Sequence, residues 1–240
     1  MGKQLRRSKI LILMALSLLA VGLFMHFAAK PTPDRPTYQT SVKLPESHMN
    51  YEGALGMGET APAFTLPAQN GDVFSLKDAL KKGPVVLTFF RGNWCPICAA
   101  HLKSLSLEKA RINKLGGQLV ALSAQTPAKT ALTREKFRID FPVLSDQGMR
   151  VAEAYGVAWQ IPESDRAGFT AWLDKSTGES LIDYHGGEQD NQRVTDEYTL
   201  PVPATYVIAP NGNVVYAHVD ENYRNRADPQ TIIKALKALK

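Results

Sequence analysis

The sequence predicts an α/β domain whose mixed central sheet is covered by helices on both faces. Short apolar, β-prone runs alternate with helical patterns over most of the chain, as where the run 85–90 precedes the helical pattern 96–114. The chain then closes with an antiparallel hairpin around the turn 210–212 and a last helix. A length of 240 residues, with 44% hydrophobic and 21% charged residues, suits one such domain with additional segments.

Local signals define each element in chain order. The predicted strands are 63–66, 73–75, 85–90, 118–123, 143–145, 205–208 and 214–218. The predicted helices are 96–114, 127–138, 146–155 and 229–239, and Thr126, Asp146 and Asp228 are the predicted caps of the last three. The polar, glycine-containing segment 160–200 fits this alternation less well, and we interpret it as an insertion with a functional role.

The excess positive charge of the chain lies in its first 30 residues. That segment contains five basic residues and no acidic one, which equals the formal charge of +5 of the whole chain. The remaining residues are balanced, so binding of nucleic acid by a basic domain is disfavoured.

An apolar run at Ile10–Ala29 has about the ~20 residues that a helix needs to cross a bilayer. The basic residues before it favour a cytoplasmic N-terminus. We therefore expect residues 1–29 to form a membrane anchor or a signal segment, followed by a proline-rich linker at 30–57 and the catalytic domain at 58–240. The domain would then lie on the extracytoplasmic (periplasmic) side, where disulfides persist.

The chemistry is concentrated in the chain's two cysteines, Cys95 and Cys98, at the junction of a predicted strand and a predicted helix. Such a pair is typical of a thiol–disulfide redox site. Unpaired N–H groups at the helix N-terminus stabilise a thiolate, so Cys95 is the predicted nucleophile. Cys98, one turn further and more covered, is the predicted resolving thiol, and Pro96 fixes the first helical position.

Three other interpretations of the cysteine pair carry less weight. A zinc site needs four ligands, and no second cysteine pair exists. A structural disulfide across so short a loop stabilises little. Two inert core cysteines would leave the spacing accidental. We therefore expect a redox site without a metal or other cofactor.

The segments around the cysteines resemble the alkyl hydroperoxide reductase/thiol-specific antioxidant family, and best its peroxiredoxin-like branch. The resemblance rests on TFFRGNWCPIC (88–98), GETAPAFTL (58–66) and LPVPATYVI (200–208), and it extends from residue 58 to 240 apart from 160–200. It implies a thioredoxin-like fold with chemistry at Cys95. It further implies that Pro203, or failing that Pro201, is the cis-proline that faces the cysteine pair.

The sequence departs from the family at two positions. Typical peroxiredoxins carry a proline seven residues and a threonine three residues before the reactive cysteine, where this chain has Thr88 and Gly92. In the family, the threonine hydroxyl helps to orient the peroxide.

Residues near the pair receive supporting roles. We expect Arg91 to lower the pKa of Cys95 and to hold a polar substrate, and Trp94 to cover the pair. His101 is expected to be a solvated helix residue, and Arg224 and Arg226 to be structural.

Two enzymatic functions are compatible with these features. In the first, Cys95 reduces a hydroperoxide, the sulfenic acid condenses with Cys98, and a thioredoxin-like protein or a small thiol restores the dithiol. In the second, a membrane-anchored reductase of the cytochrome c maturation type attacks protein disulfides, an activity favoured by the anchor and the missing threonine. A redox-inert binding module would be expected to have lost a cysteine. We predict the peroxidase as the main function.

Overall fold

The computed structural model describes residues 43–181, 183 and 198–240. Its strands are β1 (His48–Asn50), β2 (Thr65–Pro67), β3 (Val73–Ser75), β4 (Val85–Phe89), β5 (Gln118–Ser123), β6 (Val143–Ser145), β7 (Ala158–Gln160), β8 (Thr199–Pro201), β9 (Ala204–Ile208) and β10 (Val214–Asp220). Its helices are α1 (Leu76–Leu80), α2 (Pro96–Lys114), α3 (Pro127–Phe137), α4 (Arg150–Ala154), α5 (Glu163–Thr177) and α6 (Pro229–Lys237).

Six strands form a mixed sheet in the order β1-β10-β9-β4-β5-β6. Strands β4, β5 and β6 are parallel, and helices α2 and α3 make the connections between them. Strand β9 is antiparallel to both β4 and β10. The pairs β2-β3 and β7-β8 form two small separate sheets.

Apolar side chains cover the sheet on both faces, as the alternating direction of strand residues requires. On one face Val86 belongs to the same core as Leu102 of α2 and Leu236 of α6. On the other face Leu87 belongs to a second core with Leu76 of α1 and Tyr155. Because both faces are buried, β4 is apolar throughout, which is why its sequence is a continuous apolar run.

Most predicted elements are confirmed within one or two residues, and helix 96–114 and strands 73–75, 118–123 and 143–145 agree in both bounds. The helix expected from Asp146 begins instead at Arg150. The Asp146 carboxylate nevertheless accepts the N–H groups of Val151 and Ala152, at 3.1 and 3.0 Å. Asp146 therefore caps the first N–H groups of this helix, although it lies four residues before the first helical residue.

Part of the segment predicted as a linker at 30–57 pairs with the sheet. Strand β1 runs parallel to the edge strand β10, and the carboxylate of Asp220 accepts hydrogen bonds from His48 at 2.7 Å and Asn50 at 3.0 Å. The predicted insertion at 160–200 contributes helix α5 and strand β8. The wider domain boundaries stay predictions.

The predicted anchor at 1–29 lies outside the described residues. Between residues 43 and 240, as far as the chain is described, no helix combines the length and the apolar character that a membrane crossing requires.

Candidate active site

The two cysteines lie where strand β4 is followed by helix α2. Cys95 directly precedes the helix, with φ −93° and ψ 107°, and its sulfur accepts the backbone N–H of Cys98 at 3.2 Å. Pro96 is the first helical residue, where a missing N–H costs no hydrogen bond. The N–H groups and the dipole at this helix end favour negative charge on the Cys95 sulfur.

The two sulfurs differ in access. Both cysteines are free thiols. Cys95 is 4% exposed and lines a cavity, whereas Cys98 is fully buried and is not among the residues that line this cavity. A molecule in the cavity therefore reaches the sulfur of Cys95 before that of Cys98.

The cavity at Cys95 has a volume of about 470 Å³ and largely aromatic and aliphatic walls. Its lining residues are Arg91, Trp94, Cys95, Pro96, Ile97, Phe169, Trp172, Tyr223 and Arg224. Helix α5 supplies Phe169 and Trp172. Their rings pack against Trp94, with centroid separations of 5.5 and 5.9 Å in edge-to-face geometry. The predicted insertion therefore builds one wall of the site.

Gly92 stands at the position of the family threonine, and the indole of Trp94 packs against it. A Cβ atom on Gly92 would lie 2.5 Å from Nε1 of Trp94 and 3.0 Å from two of its ring carbons, closer than heavy atoms can pack. Trp94 itself is 7% exposed, and its Nε1 is buried without a hydrogen-bond partner among the described residues. The departure at position 92 is thus coupled to the tryptophan two residues later.

Arg91 lines the same cavity with its guanidinium against aromatic rings. Its guanidinium carbon lies 4.5 Å from the ring centroid of Tyr223 and 5.5 Å from that of Trp159. Burial lowers the pKa of Arg91, while the two nearby sulfurs favour its charged form. Its backbone N–H also points to the sulfur of Cys98. A role for Arg91 in substrate binding stays a prediction.

A second arginine, Arg226, contacts the buried sulfur directly. Its Nη2 donates to Sγ of Cys98 at 3.4 Å. Its Nε and Nη1 are also buried, and neither has a hydrogen-bond partner in the described part of the chain. The sequence analysis gave Arg226 only a structural role, because nothing local links two residues that are 128 positions apart. The one available signal was that residues 220–226, which include Arg226, also resemble the family.

Asp220 holds the segment that carries Arg226. Its buried carboxylate accepts hydrogen bonds from the side chain of Asn225 at 2.7 Å and from the backbone of Asn222 at 2.8 Å. Burial raises the pKa of this carboxyl, but the hydrogen bonds from Asn225 and His48 outweigh burial and hold it below its usual range. The segment is therefore attached to the end of β10 by an ionised carboxylate.

The cysteine pair binds its two protons unequally. Burial raises the pKa of Cys98, but the hydrogen bond from Cys95 and the charge of Arg226 outweigh it and lower the pKa to about 6. The hydrogen bond shared with Cys98 and burial raise the pKa of Cys95. The pair therefore loses its first proton more readily than its second.

His101 is buried, so the prediction of a solvated histidine is wrong. It lies three residues after Cys98 on α2 and therefore on the same, core-facing side of the helix. Burial and the charge of Arg226 lower its pKa to about 3, and burial and the nearby His48 lower that of His218 to about 4. Both histidines are therefore neutral at neutral pH, and the positive charge near Cys98 comes from the arginines.

No peptide bond in the described residues is cis, so the prediction of a cis bond before Pro203, or before Pro201, is wrong. Pro201 ends β8, the N–H of Val202 is bonded to the carbonyl of Val157 at 2.7 Å, and Pro203 directly precedes β9. Pro203 is thus a proline with a trans peptide bond directly before a strand. Any function of Pro203 at the site stays a prediction.

A dithiol at the start of the helix that follows a central strand, next to an antiparallel β9-β10 hairpin, defines a thioredoxin-fold thiol oxidoreductase. The family model for the AhpC/TSA family matches residues 57–217. The chain belongs to the AhpC/TSA family, and it is a thiol peroxidase of the peroxiredoxin type.

Similar proteins agree with this assignment. The chain is 27% identical over 167 residues to the chloroplastic peroxiredoxin Q of Populus jackii, a match that covers 68% of this chain and 78% of that protein. It is 29% identical over 131 residues to the chloroplastic peroxiredoxin Q of Triticum aestivum, covering 55% and 56% respectively. Among solved structures, peroxidoxin BcpB of Mycobacterium tuberculosis superimposes with a TM-score of 0.55 at 23% identity and covers 76% of this chain and 95% of that one, which supports the fold.

The relatives correct the predicted localisation. A membrane-anchored protein with a periplasmic catalytic domain was expected, but the relatives are peroxiredoxin Q, named as chloroplastic, and the bacterial peroxiredoxin bcp. The expectation depended on one apolar run, in which a retained anchor was favoured over a cleaved signal peptide. The membrane is therefore not a supported partner of this protein.

Proposed function

We propose that this protein reduces hydroperoxides by a dithiol–disulfide cycle in which Cys95 is the peroxidatic and Cys98 the resolving cysteine. The difference in access between the two sulfurs carries the proposal. Cys95 lines the cavity, while Cys98 lies buried three residues further along the chain, and its backbone N–H donates to the Cys95 sulfur.

The cycle has two oxidative steps and one reductive step. The Cys95 thiolate attacks the terminal peroxide oxygen, the O–O bond breaks, and the leaving alkoxide or hydroxide takes up a proton while Cys95 becomes a sulfenic acid. The Cys98 thiolate then attacks the Cys95 sulfur, the S–O bond breaks, and the departing hydroxide is protonated to water. An external thiol donor supplies two electrons and two protons and restores both cysteines.

The shape of the cavity supports an organic hydroperoxide as substrate. Hydrogen peroxide needs no apolar wall, whereas Trp94, Phe169 and Trp172 offer aromatic surface to a bulky substituent. Alkyl or aryl hydroperoxides therefore gain binding free energy in this cavity that hydrogen peroxide cannot gain.

The test is peroxide consumption by the purified protein with dithiothreitol as reductant. We expect the wild type to turn over, Cys95→Ser to fall to background, and Cys98→Ser to form a stable sulfenic acid that a dimedone probe captures. Peroxide turnover that survives Cys95→Ser would contradict the assignment of the peroxidatic sulfur.

The alternative predicted from the sequence, reduction of protein disulfides, is tested with the same purified protein in a second assay. Reduced protein is mixed separately with cumene hydroperoxide and with oxidised insulin, and thiol loss is followed over time. Rapid loss with insulin and none with the hydroperoxide would replace the peroxidase proposal. The comparisons do not favour this alternative.

A further inference from the structure

We propose that Arg226 is a catalytic residue of the resolving step, because it holds Cys98 as the thiolate that attacks the oxidised Cys95. This inference rests on the proposed peroxidase function and assigns the arginine to one of its steps. The contact that carries it is the 3.4 Å hydrogen bond from Nη2 of Arg226 to Sγ of Cys98.

The guanidinium of Arg226 is hydrogen bonded to one group that can carry a negative charge. Among the described residues, no carboxylate forms an ion pair with Arg226, and its remaining buried donors, Nε and Nη1, have no partner. A guanidinium stays protonated in proteins, and its hydrogen bonds to anionic partners are stronger than those to neutral ones. The one group bonded to this guanidinium that can ionise is the thiol of Cys98, so the pair is completed when Cys98 is a thiolate.

Among the groups near Cys98, only Arg226 is found to offer a positively charged side chain as a hydrogen-bond donor to its sulfur within the described residues. The neighbouring His101 and His218 are neutral at neutral pH. Arg91 places its guanidinium against the rings of Tyr223 and Trp159 and offers Cys98 its backbone N–H. Arg226 is therefore the cation that is hydrogen bonded to the sulfur.

The position of Arg226 indicates that it acts in disulfide formation and not in the reaction with peroxide. Its hydrogen bond goes to the buried resolving sulfur, while the Cys95 sulfur is supported by the N–H of Cys98 at the helix start. Once Cys95 is a sulfenic acid, a protonated Cys98 would have to lose its proton before it could attack. By stabilising the Cys98 thiolate, Arg226 favours the loss of this proton and shortens the time during which Cys95 can be oxidised further to the sulfinic acid.

The first test measures the thiolate without any peroxide. In Cys95→Ser the only thiol left is that of Cys98, since the chain has two cysteines. The ultraviolet absorbance of its thiolate is titrated against pH, alone and combined with Arg226→Gln or Arg226→Lys. We expect Arg226→Gln to move the midpoint upward by at least about one unit, a tenfold loss of thiolate below the midpoint, and Arg226→Lys to move it less.

The matched control is Arg134→Gln, which removes the same charge from the exposed surface of α3. Circular dichroism confirms that each variant is folded, and the lysine variant keeps the charge should the glutamine variant not fold. A midpoint that stays unchanged in both Arg226 variants would overturn the proposal.

The second test separates the two oxidative steps in the protein with both cysteines. Stopped-flow tryptophan fluorescence, to which Trp94 and Trp172 at the cavity contribute, should show a phase that depends on peroxide concentration, for sulfenic acid formation, and a phase that does not, for disulfide formation. At neutral pH we expect Arg226→Gln to slow the second phase about tenfold and to leave the first within about twofold, with sulfinic acid accumulating in mass spectra. A loss confined to the first phase would instead make Arg226 a partner of Cys95 and refute the proposal.

Failure of the proposed function and failure of this inference give different results. If the wild type does not react with peroxide, the function is wrong, while the titration of Cys95→Ser still decides whether Arg226 holds the Cys98 thiolate. If peroxide turnover is present and the titration does not respond to Arg226, the function stands and the inference is wrong.

Discussion

At Gly92 the backbone carries no side chain because the indole of Trp94 fills the space beside it. The sequence showed only that the family threonine is missing, which weakened the expectation of a peroxidase. The structure shows that a side chain at position 92 would collide with the indole of Trp94, so a threonine does not fit there while the indole lies in this position.

Gly92→Ala is therefore predicted to destabilise the protein. The added methyl group would meet the Trp94 ring at 2.5 Å, and overpacking of this kind costs about 1–3 kcal/mol of unfolding free energy. Urea unfolding measures the change. The control is Gly168→Ala on α5, where an added Cβ meets nothing within 4 Å and should gain about 0.5–1 kcal/mol from helix propensity. Equal stability of the two variants would show that Trp94 moves aside freely.

At the scale of the secondary-structure elements, helix α5 supplies the aromatic side chains that shape one wall of the cavity. It lies in the segment that the sequence analysis set apart as an insertion with a functional role, and that expectation gains support from its place in the cavity wall. Its helical character and its packing against Trp94 could not be predicted, because they depend on where the segment folds back on the sheet rather than on local pattern.

Trp172→Ala should discriminate between classes of hydroperoxide. Removing this ring takes away apolar contact worth about 1–2 kcal/mol for a bulky substituent, so kcat/KM for cumene hydroperoxide should fall about tenfold while that for hydrogen peroxide changes less than about twofold. Leu132→Ala is the control, since Leu132 on α3 is similarly exposed, at 48% against 43%, but does not line this cavity. An equal loss for both peroxides would mean that α5 supports the fold of the site and does not bind the substituent.

At the scale of the whole molecule, the sheet separates the site from a second core. Cys95 and Cys98 belong to the face covered by α2 and α6, whereas Tyr155 and Tyr206 belong to the other face. The rings of the two tyrosines lie 5.4 Å apart, but only the Tyr155 hydroxyl has a hydrogen bond in the described structure, to the carbonyl of Pro62 at 3.2 Å.

The two tyrosines therefore make a matched pair of variants. Tyr155→Phe should cost about 0.5–1.5 kcal/mol through its lost hydrogen bond, whereas Tyr206→Phe should be neutral or stabilising because its buried hydroxyl is unpaired. Both should keep the wild-type peroxidase rate, since they lie across the sheet from the cysteines. Unfolding curves and steady-state kinetics check the two claims separately, and a rate loss in either variant would show that the two faces are coupled.

The sequence by itself determined the order of the seven predicted strands and four predicted helices, the place of the cysteines at the start of α2, and the family. These features depend on residues that are close in the chain: apolar runs, caps such as Thr126, and the Cys-Pro-Ile-Cys spacing. Only the tertiary structure decided that Arg226 meets Cys98, that α5 walls the cavity, that His101 is buried and that the bond before Pro203 is trans. The physical reason is that each of these follows from how distant elements pack on the sheet, and local sequence signals do not specify that packing.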